Sequence, residues 1–171
     1  MSVDPQSLNL VLYPDPILKQ RALEVDASDA NVQAVAQRMI ELMFDYEGVG
    51  LAAPQVGLPW RLFVTRDPNL ENVGLAWINP TLEIIASEVV IAEEGCLSLP
   101  EIRCDVRRPL GIRISGWNEH GKEAHQDSEE FIARVWQHEN DHLDGILLTD
   151  KMSAMDRLVN RKVIKNLEKA F

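Results

Sequence analysis

The segment Asp127-Ser128-Glu129-Glu130-Phe131-Ile132-Ala133-Arg134-Val135-Trp136-Gln137-His138-Glu139-Asn140-Asp141-His142-Leu143-Asp144-Gly145 carries a helix and a metal-binding pattern at once. Asp127 with Glu130 three residues later resembles a capping box, and Gly145 supplies a stop, so residues 128–143 are expected to be helical. At about 100° per residue, Phe131, Ile132, Val135, Trp136, His138, Glu139, His142 and Leu143 fall in one arc, with Arg134, Gln137, Asn140 and Asp141 outside it. Two imidazoles four residues apart point the same way and can bind one metal ion. Glu139 sits in the middle of the apolar face, where an unpaired carboxylate costs on the order of several kcal/mol. A nearby dication offsets that cost and lets Glu139 take a proton from activated water. The competing structural reading makes both histidines satisfied core residues and salt-bridges Glu139.

Near the start of the chain, Tyr13-Pro14-Asp15-Pro16 reads as a turn. Over 31–46, Val32, Val35, Ala36, Met39, Met43 and Tyr46 recur at spacings of three and four, with Ser28 or Asp29 as N-cap, so a helix with one core face is expected. Residues 48–59 read as a Gly/Pro-punctuated loop, and 61–65 as a strand. Further β-rich stretches lie at 77–85, 88–91, 103–107 and 111–117, and Asn118-Glu119-His120-Gly121 turns the last of these into a hairpin with 122–126. A final helix is expected over 153–169. There is no internal repeat or linker, so 1–171 is read as one catalytic domain. The element order predicts an α+β fold of mainly antiparallel short strands around a central metal-binding helix, with a C-terminal helix.

The chain has 171 residues, 46% of them hydrophobic, and a net charge of −10. That composition suffices for a single core and argues against bulk nucleic-acid or acidic-membrane affinity. The start lacks the basic and apolar regions of a secretory signal, and no apolar run approaches a bilayer span. The expectation is a soluble cytoplasmic protein, or a processed organellar form. Two cysteines are too few for a disulfide framework.

A catalytic zinc-like site needs a third protein ligand. Cys96 lies in Glu93-Glu94-Gly95-Cys96-Leu97-Ser98-Leu99-Pro100, a charged loop-like segment where a structural cysteine is less expected. Cys104 does not form a Cys-x-x-Cys pair with it, and His120 and His125 flank a hairpin turn. Glu168 is the remaining competitor, although Lys165 and Lys169 beside it suggest a surface helix.

Gly48-Val49-Gly50-Leu51-Ala52-Ala53-Pro54-Gln55, Glu94-Gly95-Cys96-Leu97-Ser98 and Gln137-His138-Glu139-Asn140-Asp141-His142-Leu143-Asp144-Gly145 resemble the three signature motifs of the peptide deformylase family, in the family's order. The similarity extends over nearly the whole chain. It implies a metal-dependent hydrolase that removes the N-formyl group from nascent formyl-methionyl peptides and releases formate. By the same resemblance Cys96, His138 and His142 bind the metal, Glu139 is the general acid/base, and Gln55 and the Leu97 N–H polarise the formyl oxygen. Gly50 and Gly95 present backbone groups to the peptide, and Glu94 pairs with Arg108 to brace the cysteine loop. One thiolate and two imidazoles suit iron, zinc, nickel or cobalt, and the family points to Fe2+ in the cell.

An apolar methionine pocket is expected from Val49, Phe131 and Val135, with the stem of Arg134 along its rim. Core packing is the competing assignment for the first three. Gly48-x-Gly50-x-x-Ala53 also resembles a dinucleotide fingerprint, but it follows a helix and leads to prolines, against what that motif requires. On the last helix Val159, Val163, Leu167 and Phe171 form an apolar stripe opposite Arg157, Arg161, Lys165 and Lys169. The basic stripe is read first as a solvated face suited to the helix dipole, and second as a transient ribosome contact. Two further alternatives are a two-His zinc endopeptidase using Glu168, and a non-catalytic metal- or peptide-binding homologue.

Overall fold

The computed structural model describes residues 2–171. Helix α1 spans Ala30–Asp45, and its N-cap is Asp29, whose carboxylate accepts from the N–H groups of Asn31 and Val32. Five strands follow, β1 Gly50–Ala52, β2 Leu62–Arg66, β3 Gly74–Cys96, β4 Leu99–Trp117 and β5 Glu123–Ser128. They form one sheet in sequence order, every neighbouring pair antiparallel. Helices α2 Phe131–Leu143, α3 Leu148–Lys151 and α4 Ala154–Ala170 complete the chain.

The period-2 alternation of β2 separates two cores. Leu62 and Val64 join the cluster built on α1, including Val35, Met39 and Met43. Phe63 points the other way, into a cluster with Trp77, Ile112, Ile132, Val135 and Trp136 beneath α2. A third cluster, with Leu99, Ile102, Cys104, Val106 and Ile164, lies under the last two helices. Helix α2 is thereby clamped to the sheet. Full burial of a side chain such as Val135 contributes about 1.5–3 kcal/mol.

The α+β antiparallel expectation holds, but the strands are not all short. The stretches 77–85 and 88–91 belong to one 23-residue strand, and 103–107 and 111–117 to one of 19 residues. The apparent gaps coincide with register shifts through Ile84, Ala86 and Val89, opposite Gly111 and Pro109, and a further shift between Ile78 and Thr81 absorbs Pro80, none of them ending the strand. The loop reading of 48–59 also needs correction. Gly50–Ala52 pairs with β2, and Ala53–Val56 is a 3₁₀ turn.

Helix α2 begins later than expected because Asp127 is a strand residue. Its carboxylate is held by Arg113, its partner across the β4–β5 ladder, at 2.7 Å through both oxygens, so no capping box forms. Gly145 ends the region as expected, with a positive φ of 73° that favours glycine. On α4 the inward face is Asn160 and Ile164, with Val163 and Leu167 partly buried, whereas Val159 and Phe171 are exposed. Arg161, Lys165 and Lys169 are exposed, and Arg157 donates to the Thr149 carbonyl. No helix among the described residues is long and apolar enough to cross a membrane.

Candidate active site

The i, i+4 spacing on α2 brings the rings of His138 and His142 to 5.1 Å between centroids. Cys96, the last residue of β3, faces them. Its Sγ lies 3.4 Å from His142 Nε2, and one ligand atom from each of Cys96, His138 and His142 falls within 4.8 Å of the others, so the three could hold a metal ion. The cysteine comes from the tip of the β3–β4 hairpin, whose tight end is formed by Cys96 and Leu99. Leu97 lies in that turn and lines the cleft beside the sulfur.

Glu94 organises the surroundings of this cluster. Arg108 donates to both of its oxygens, Nε to Oε2 at 2.7 Å and Nη2 to Oε1 at 2.9 Å, as the brace expected for the cysteine loop requires. Arg134 Nη1 adds a contact of 2.6 Å, and His138 Nδ1 lies 3.0 Å from Oε1. Burial would raise the Glu94 carboxyl, but the bonds from Arg108, His138 and Arg134 hold it well below the usual carboxylate range. An ionised Glu94 accepts the Nδ1 proton of His138 and leaves Nε2 for the cluster.

Burial would lower His138, but its bonds to Cys96 and Glu94 raise it well above the ordinary imidazole range, and its charge then acts on the two other buried groups. Burial lowers His142, assisted by the charges of His138 and Arg108, so its imidazole stays neutral, the form that ligates metals. Burial pushes the Glu139 carboxyl up to about 7 against the pull of His138 and Arg108. Glu139 Oε2 and His142 Nδ1 are buried with no hydrogen-bond partner among the described residues. Three convergent soft and borderline donors beside an unpartnered buried carboxylate fit a divalent metal site.

Gly50 leaves room for the Glu139 carboxylate. A Cβ there would meet Glu139 Oε1 at 2.6 Å and Cδ at 2.9 Å, so only glycine leaves the carboxylate its place. Gly50→Ala is expected to lower kcat about 10- to 100-fold, as misplacement of a reacting group by about 1 Å does, while the metal content of the purified protein stays at the wild-type level. Steady-state kinetics with metal analysis checks this, and unchanged kcat would remove the steric argument.

A cleft of about 450 Å³ opens onto the cluster. Val49, Gly50, Gln55, Gly95, Cys96, Leu97, Phe131, Val135, His138 and Glu139 all line it. Val135 is 4% exposed and forms wall, whereas Phe131 at 64% and Val49 at 46% stand at the rim. Gln55 is buried, with Oε1 accepting from the Ala52 N–H at 2.9 Å and Nε2 directed to Cys96 Sγ and Ser98 Oγ. Arg134 also lines the cleft, its guanidinium reaching Glu94 and the carbonyls of Val90 and Val106.

Two sequence readings need correction, and one residue of the site was missed. Gln137, assigned outside the buried arc, is buried and donates to the carbonyls of Pro109 and Ala133. Glu168 accepts from the Tyr13 hydroxyl at 2.9 Å and is no part of the donor group, which removes the endopeptidase ligand set. Ser98, quoted only as part of a motif, is fully buried against Gln55. Cys104 is buried in the third core cluster, its thiol pushed up to about 11 by burial, and His120 and His125 are exposed.

A family model described as polypeptide deformylase matches residues 7–158. A peptide deformylase of Thermotoga maritima is 42% identical over 156 residues, which cover 91% of this chain and 93% of that protein. One from Fusobacterium nucleatum subsp. nucleatum is 43% identical over 159 residues, 92% of this chain and 90% of the other. A Plasmodium falciparum peptide deformylase solved with an inhibitor superposes with a TM-score of 0.84 at 35% identity, covering 94% of this chain and 99% of that one.

Proposed function

The chain belongs to the peptide deformylase family of enzymes, and from that premise we propose that it removes the N-formyl group from the initiator methionine of nascent proteins, releasing formate. The observation that carries this reading is the buried Glu139 carboxylate, one oxygen unpartnered, beside the Cys96, His138 and His142 donors at the base of an open cleft.

In this mechanism Cys96, His138 and His142 would hold one divalent ion, with Fe2+ the expected ion in the cell and Zn2+, Ni2+ or Co2+ able to substitute. When bound, such an ion would supply the Lewis acidity that amide hydrolysis near neutral pH requires. Glu139 takes the proton that the attacking water gives up and delivers it to the amine nitrogen as the C–N bond breaks. Gln55 Nε2 and the Leu97 N–H donate to the developing oxyanion, where preorganised donors act most strongly. Backbone groups of Gly50 and Gly95 align the peptide, and Glu94 keeps His138 oriented.

The methionine side chain is assigned to the apolar wall of Val135, with Val49 and Phe131 closing the rim. Val135→Trp is expected to raise KM for a formyl-Met peptide about tenfold or more, since an overfilled pocket excludes the side chain. Unchanged kinetics would make the pocket assignment wrong. A nascent-chain substrate is consistent with work in the cytoplasm close to the ribosome, and the exposed Arg161, Lys165 and Lys169 of α4 are the surface for a transient contact with it. Ribosome co-sedimentation that is absent or insensitive to salt would count against that contact.

The deciding experiment is formate release from a formyl-Met peptide by protein prepared anaerobically with ferrous iron. Absence of release from folded, metal-loaded protein would reject deformylation.

A further inference from the structure

The orientation of an amide side chain is set by its neighbours, and around Gln55 each neighbour has one permissible role. The Ala52 N–H is a donor, so the atom 2.9 Å from it must be the amide oxygen. On the other side, Nε2 lies 3.1 Å from Ser98 Oγ. A serine hydroxyl has a single proton, and that of Ser98 is committed to the Val11 carbonyl at 2.7 Å. Its lone pairs are therefore left facing Gln55. Flipping the amide would set NH2 against the Ala52 N–H and the carbonyl oxygen against a hydroxyl with no proton to give.

The same three segments are tied by their backbones. The Val11 N–H donates to the Gln55 carbonyl at 2.7 Å, and the Tyr13 N–H to the Ser98 carbonyl at 2.9 Å. Ser98 is fully buried and Gln55 nearly so, which makes these bonds costly to leave unmade. With one Nε2 proton taken by Ser98, the second is directed toward Cys96 Sγ, 3.5 Å away, on the cleft side.

We propose that Ser98 is a positioning residue for the oxyanion donor: its hydroxyl, polarised by the Val11 carbonyl, fixes Gln55 so that one Nε2 proton points to where the formyl oxygen is held. This inference rests on the deformylation reading, in which Gln55 touches the reacting oxygen. Ser98 itself touches no reacting atom.

A double-mutant cycle in the metal-loaded full chain tests it, with Ser98→Ala, Gln55→Ala and the pair assayed by formate release. Ser98→Ala is expected to lower kcat about tenfold, less than loss of the donor itself, with KM moved by less than about twofold. In the Gln55→Ala background the second substitution is expected to change nothing. Equal losses in both backgrounds, or a loss confined to KM, would overturn the proposal.

Ser98→Cys, which offers a weaker acceptor in nearly the same shape, is expected to fall between serine and alanine, and it carries the cycle if the alanine variant does not fold. An independent readout is the Gln55 side-chain NH2 pair in 1H–15N spectra of the zinc-loaded protein, assigned by its loss in Gln55→Ala. These resonances are expected to shift in Ser98→Ala, and unmoved resonances would also overturn the proposal. Should the wild type release no formate, deformylation fails, while the resonances still decide whether Ser98 holds the amide.

Discussion

Glu139→Ala is expected to lower formate release about 10³-fold or more while the protein still binds its metal at full occupancy. General acid–base groups contribute about 10²–10⁴-fold, and here one carboxylate handles both the incoming and the outgoing proton. Removing it should not weaken the candidate donor set, which is formed by Cys96, His138 and His142 without it. Nor should it cost stability, since Glu139 is buried with Oε2 unpartnered and its loss relieves a desolvation penalty. The informative result is the combination: activity gone, metal content unchanged and melting temperature equal to or above that of the wild type. Retained release would exclude Glu139 as the proton carrier, and lost metal would recast it as a ligand.

Glu94→Ala is expected to be the most destabilising single change near the site. It leaves Arg108, 3% exposed, without the carboxylate that takes both its Nε and its Nη2 bonds. Arg134 and His138 lose an acceptor in the same step. Breaking a buried pair from one side costs about 3–5 kcal/mol, because the remaining charge stays uncompensated. For a chain of this size that is a fall in melting temperature of roughly 6–20 °C. With His138 unsupported, metal affinity should fall about 10- to 100-fold. Calorimetry of the metal-free protein isolates the first effect, and metal titration measures the second. A metal-free variant that melts with the wild type would show that Asp141, which also accepts from Arg108 at 2.9 Å, suffices for that charge.

What the sequence made legible was what repeats at short range. The two histidines and Glu139 could be placed because a helix relates residues four apart, and the core face of α1 could be read for the same reason. Cys96 was different, since the residues alone left Glu168 open as a ligand and only the family resemblance selected the cysteine. The errors arose where a long-range partner decided the outcome. Asp127 looks like a helix cap until the β4–β5 register sets it opposite Arg113. Gln137 lies off the apolar arc, yet the Pro109 carbonyl draws its amide inward. Val159 fits the periodicity of α4 but finds no surface to cover, because Asn160 and Ile164 face the core instead. Gly50–Ala52 is too short to show a period and exists as a strand only through its pairing with β2.

The hairpin tip and α2 contribute donors far apart along the chain, Cys96 and His142 being separated by 46 positions. An ion shared between them is a reversible cross-link. In the chain-entropy model, closing a loop of that length removes from the unfolded chain freedom worth roughly 4 kcal/mol. Thermodynamic linkage adds that an ion at about 1,000 times its dissociation constant stabilises the folded form by about 4 kcal/mol. On the proposed metal-dependent mechanism, endurance and activity would thus be drawn from the same supply, and a cell starved of the metal would hold protein that is both idle and more readily unfolded and degraded.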